Sequence, residues 1–138
     1  MSQTVDHLRH TLAEALASRP PVGGFPHLAE SLRRAGVTLN RWTLPACQSL
    51  YVLNQGVVVM QGERLGSELQ EVPSFDEAAL IRALRRDQAG EGTFPEFLAA
   101  SWEAGVVTYE VDFDRRVVTY QGARGETYVE AYPAVDLP

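Results

Sequence analysis

Apolar residues near the N-terminus recur at three- and four-residue steps. Val5, Leu8, Leu12 and Leu16 form one stripe, which predicts a helix over residues 4–18. A second helical pattern covers 74–87, with Ser74 and Glu77 spaced as a capping box. Thr93 and Glu96 repeat that spacing ahead of Phe94, Phe97, Leu98 and Trp102, which would face a core. Pro26 and Pro95 suit a first helical turn, and Gly36 and Gly105 suit a helix end. The period then changes to two. Val107, Tyr109, Val111 and Phe113 alternate with Thr108, Glu110 and Asp112, as in a strand with one apolar and one wet face. Turns at 114–116 and 122–125 lead into strands over 117–121 and 126–132. Strands near 37–43, 48–53 and 57–61 complete the first half, punctuated by Pro45 and by Asn54-Gln55-Gly56. The order is ααβββ twice, with 62–73 as the link. The expectation is one α+β domain over 1–138: an antiparallel sheet with helices packed on one face.

The two runs are related in sequence. Gly24-Phe25-Pro26-His27-Leu28, ending in Ala35-Gly36-Val37, returns as Thr93-Phe94-Pro95-Glu96-Phe97, ending in Ala104-Gly105-Val106. Phe94 follows Phe25 by 69 positions (94 − 25), half the 138-residue chain. Val57-Val58-Val59-Met60-Gln61-Gly62 and Val117-Val118-Thr119-Tyr120-Gln121-Gly122 both close on Gln-Gly. An internal duplication with halves of about 1–65 and 70–138 is expected.

Composition narrows the function classes. The net charge is −6, and all 12 basic residues are arginine. An acidic chain is poorly suited to nonspecific nucleic-acid binding, which needs a basic surface. The pairs Arg33-Arg34, Arg85-Arg86 and Arg115-Arg116 read as solvated faces and a turn. One cysteine, Cys47, excludes an intramolecular disulfide. Residues 1–18 are interrupted by His7, Arg9 and His10 and do not read as a signal peptide. No apolar run approaches membrane-span length. The cytoplasm is the expected compartment, with neither membrane nor nucleic acid as partner.

Several strings in the second half together resemble the YbcV-like family and its YdfO-like relatives. They are Thr93-Phe94-Pro95-Glu96-Phe97, Trp102-Glu103-Ala104-Gly105-Val106, Tyr109-Glu110-Val111-Asp112-Phe113, Val118-Thr119-Tyr120, Gly125-Glu126-Thr127-Tyr128 and Glu130-Ala131-Tyr132-Pro133. The resemblance covers residues 93–135 well and the rest loosely. It implies a small bacterial, prophage-associated α+β protein of unknown function, sometimes labelled a phage envelope protein. It supplies no catalytic residues.

Candidate chemistry is sparse. His7 and His10 share a helix face but lack a third ligand, so no metal or other cofactor is expected. His27 stands where the second run has Glu96, and reads as a drifted capping position or an acid–base group. Cys47 would need a depressed pKa to act as a nucleophile. Glu110 and Asp112 share one strand face, and Glu126 and Glu130 are expected to share another. Tyr109, Tyr120, Tyr128 and Tyr132 gather in the C-terminal hairpins and could pack or line a binding surface. The weak binding set is therefore Tyr109, Glu110, Tyr120, Tyr128, His27 and Cys47. These features suit a binding or interaction protein, with a homodimer possible. The alternative is a small enzyme or ligand-binding protein using a cleft between the halves.

Overall fold

Both helix–helix–meander runs fold onto a shared sheet. A computed structural model describes residues 2–137. Helices α1 (Gln3–Ser18) and α2 (Gly24–Arg34) precede strands β1 (Val37–Thr43), β2 (Gln48–Leu53) and β3 (Gly56–Gln61). Helices α3 (Glu77–Gln88) and α4 (Phe94–Glu103) precede β4 (Val106–Asp112), β5 (Val117–Gly122) and β6 (Thr127–Ala131). The six strands run in the order β3-β2-β1-β4-β5-β6, antiparallel throughout. The helices cover one face, as the α+β expectation required. No helix among the described residues is long and apolar enough to cross a membrane.

Helix ends follow local chemistry. Thr93 and Glu96 form the expected capping box of α4. The Ser74 cap is a correction: α3 starts at Glu77, and Asp76 accepts from the Ala79 N–H at 3.0 Å. The cause is tertiary. The Asp76 N–H donates to the Ala104 carbonyl at 2.8 Å, and the Ser74 carbonyl lies 2.6 Å from where a Cβ on Gly105 would sit. That close approach keeps 74–76 non-helical and moves the first turn onward. It also requires glycine at 105, where φ is +87°.

The halves join through β1 and β4. Leu39 pairs with Asp112, Arg41 with Glu110 and Thr43 with Thr108. Shifting each β1 residue by 69 positions turns 39 into 108, 41 into 110 and 43 into 112, so this register is symmetric about the Arg41–Glu110 pair. Other features obey the same shift. Gly36 and Gly105 both have positive φ, as do Cys47 (φ 54°) and Arg116 (φ 55°). Register shifts occur at Val37/Leu39 and at Val106/Thr108. The second of these buries Val106 fully and leaves Val107 half-buried, where strict alternation had put only Val107 inside.

One core spans both halves. Trp42, Tyr51, Leu53, Val111, Phe113 and Val118 from the sheet meet Leu8, Leu32, Leu80, Leu84 and Trp102 from the helices. Burying a large apolar side chain of this kind contributes about 1.5–3 kcal/mol. The expected strand over 126–132 shortens to β6. Glu126 therefore lies in the preceding turn, where its Oε1 accepts from the Arg124 N–H at 2.9 Å. Glu130 instead faces the helices, so these two carboxylates do not share an outer strand face.

Candidate functional site

The sheet sorts the candidate residues onto opposite faces. On the helix-covered face, register aligns Trp42, Tyr109, Tyr120 and Tyr128 across β1, β4, β5 and β6. Trp42 stacks on Tyr109 at 6.1 Å between ring centres, Tyr109 meets Tyr120 at 5.5 Å, and Tyr120 meets Tyr128 at 6.2 Å. Phe94 and Phe97 of α4 close over this row, with Phe94 edge-on to Trp42 at 5.2 Å. Burial pushes the Tyr109 and Tyr120 hydroxyls far above their ordinary pKa, and neighbouring acidic groups add to the shift. Both rings are buried in the core. At the rim, Tyr128 donates to Glu130 at 2.6 Å, while Arg85 and Gln88 each donate to the same carboxylate at 2.7 Å. Burial pushes the Glu130 pKa up, but these three bonds outweigh it and the net shift is downward. The cluster ties edge strand β6 to α3.

Cys47 is buried in the β1–β2 turn, and burial raises its thiol pKa despite a hydrogen bond from the Leu65 backbone. That is opposite to what a thiolate nucleophile needs. His27 is half-buried on α2, with its Nδ1 enclosed and unpartnered, and no hydrogen bond links it to Cys47. The α2 N-cap is Gly23, without a side-chain cap, as the loss of the Glu96 counterpart implied. Among the described residues, no group of three or more His, Cys, Asp or Glu side chains gathers as a metal site. His7 instead donates from Nε2 to the Ala35 carbonyl at 2.8 Å, closing the C-terminus of α2.

Of the six weak candidates, Glu110 alone lies on the uncovered face. It holds Arg41 at 2.9 Å, and both side chains stay well exposed. Arg41 and Glu110, with Thr108, Thr119 and Gln121, border a shallow depression of about 200 Å³. Around it the uncovered face is partly apolar. Val57, Val59 and Val129 are 61%, 58% and 55% exposed, and Leu50 and Val52 lie half-buried on β2 beside the first two, with Val129 at the opposite edge. The pattern in the first half carried this signal: Val57-Val58-Val59 is apolar at consecutive positions, which puts hydrophobic side chains on both faces of a strand. Arg41 could be found only by pairing β1 with β4.

A family profile described as "Protein of unknown function (DUF1398)" matches residues 20–130. Uncharacterised proteins of Mycobacterium tuberculosis and Mycobacterium bovis are 52% identical over 136 residues. The match covers 99% of this chain and 83% of each relative.

Proposed function

The chain belongs to the DUF1398 family of proteins of unknown function, and from that premise we propose a non-enzymatic binding protein whose working surface is the uncovered sheet face. One observation carries this reading: valines on both edge strands, Val57, Val59 and Val129, are more than half exposed on a face that no helix covers. Val57 and Val59 adjoin Leu50 and Val52 as one apolar strip along β3 and β2, beside the polar Arg41–Glu110 centre, and an exposed apolar strip rimmed by polar groups is a mark of interaction sites. The enzyme alternative needed a cleft between the halves. On the sheet side that space holds the direct β1–β4 pairing and Trp42, Tyr109, Phe94 and Phe97, which favours the binding reading.

The matched register, the paired left-handed turns and the paired bulges support reading the halves as an internal duplication. The strings between residues 93 and 135 support a finer kinship with YbcV-like and YdfO-like proteins, and with it a bacterial, prophage-related origin. A single cysteine, which allows no disulfide within the chain, is in keeping with a cytoplasmic setting.

Photo-crosslinking in cells tests the surface. A photoreactive residue at Leu50 or Val129 is expected to capture a partner, whereas one at Glu14, exposed on α1, is not. Capture from Glu14 alone, or from none of the three, would refute the reading.

A further inference from the structure

We infer that the uncovered face binds a second copy of this chain, sheet against sheet, about a twofold axis running parallel to β1 and β4. The inference rests on the proposed working surface and names its occupant. Six strands at about 4.8 Å spacing, each with three outward residues at about 6.8 Å steps, give a footprint on the order of 600 Å². Two such faces bury on the order of 1,200 Å² before corrugation is counted, which reaches the range of stable interfaces.

The choice of axis follows from charge. Arg41 and Glu110 sit side by side at the centre of the face. A twofold axis across the strands would set Arg41 on Arg41 and Glu110 on Glu110. An axis along the strands sets Arg41 on Glu110 of the second copy, closing an alternating square of two guanidinium and two carboxylate groups. Aligned sheet packing, at about −30° between strand directions, keeps this central contact while rotating the edges.

With the axis so fixed, most of the face pairs like with like, Leu39 over Asp112 being an exception. Strand β2 lies over β5 and β3 over β6. Before that rotation Val59 faces Val129, Val52 faces Val117 and Gln48 faces Gln121 of the second copy, following the rows set by strand pairing, and the rotation slides the edge pair by about one row. Leu50 falls over Thr119, at the depression of about 200 Å³ that Thr119 helps to border. Residues 50 and 119 are themselves related by the 69-position shift. One half carries the larger side chain there and the other the smaller, so the axis seats each bump in a hollow. A second copy offers this mixed apolar and polar pattern in reverse order.

Sedimentation equilibrium on the full chain is the test. Wild type is expected to be dimeric. Val59→Arg combined with Val129→Arg should give a folded monomer. Should that variant fail to fold, Gln48→Arg combined with Gln121→Arg places the same clash at exposed polar positions. Arg41→Glu and Glu110→Arg should each weaken self-association at least tenfold, and an equimolar mixture of the two should recover a heterodimer. A monomeric wild type, dimers unaffected by these changes, or a mixture that fails to associate would each overturn the inference. A monomeric wild type whose position 50 still crosslinks to a different protein would overturn the second copy while leaving the surface reading intact.

Discussion

Arg116 holds a left-handed backbone, with φ at 55°, on the exposed turn between β4 and β5. A non-glycine residue there costs on the order of 1 kcal/mol. Arg116→Gly relieves that strain and returns part of the gain as unfolded-chain entropy. A net stabilisation of about 0.5 kcal/mol is expected, seen as a rise of about 2 °C in thermal midpoint. Arg115→Gly, one residue earlier and without positive φ, should lower the midpoint instead. Equal shifts in the same direction would refute the argument. Charge acts at a single residue too. Hydrogen bonding by Arg33 pulls the Glu30 carboxyl from its ordinary 4.5 to about 2, against partial burial and with help from Arg34. A carboxyl depressed on folding contributes fully above pH 4.5, and that contribution fades as pH falls toward 2. The arginines are 41% and 49% exposed, so screening holds the effect to about 0.5–1 kcal/mol. Glu30→Gln should therefore flatten the stability profile between pH 4.5 and 2. Denaturant midpoints that fall in parallel for wild type and variant would exclude this role.

The caps at the helix starts can be separated experimentally. Thr93→Ala and Asp76→Ala should each cost about 1 kcal/mol in urea unfolding, the usual loss for an N-cap. Ser74→Ala should be nearly neutral, and a loss there equal to that at Asp76 would mean that α3 begins earlier. The contrast explains which elements were legible along the chain. Thr93 and Glu96 announce α4 because both partners of the cap lie within one turn. Ser74 and Glu77 have the same spacing, yet contacts with Ala104 and Gly105 decide the matter, and those come from 30 residues away in the chain (104 − 74). Period two correctly turned Tyr109 inward and Glu110 outward. It did not separate a packed tyrosine from a binding one, since both demand an aromatic at the same position. The edge strands misled for another reason. On β6 Glu130 points in and Val129 points out, because Arg85, Gln88 and Tyr128 supply the carboxylate with partners that only the assembled fold brings near. The Phe-Pro and Ala-Gly repeats were visible at once; the Arg41–Glu110 pairing, which decides how the halves meet, joins positions 69 apart and left no local trace.

That central pair gives the whole molecule a directional preference. Divide the chain into fragments 1–73 and 74–138. Each exposes the strand, β1 or β4, that normally pairs with the other, and each loses one side of the stacked Trp42–Tyr109 contact. Neither half-core should be stable alone, because small domains bury too little of their surface. The register is symmetric, so each fragment has a self-pairing mode that rebuilds a six-stranded sheet. Self-pairing would set Arg41 opposite Arg41, or Glu110 opposite Glu110, and like charges directly across a strand pair are destabilising. Mixed pairing sets Arg41 opposite Glu110. Co-expressed fragments are therefore expected to copurify at a one-to-one ratio and to melt in one transition. Arg41→Glu in the first fragment should weaken the complex, and Glu110→Arg in the second should restore it with the charges exchanged. Fragments that fold as separate monomers, or self-pair as readily as they pair with each other, would mean that the central ion pair does not select the partner. Rescue by the exchanged pair would show that selectivity lies in the opposition of charge across β1 and β4, on a register that either half could otherwise satisfy with its own copy.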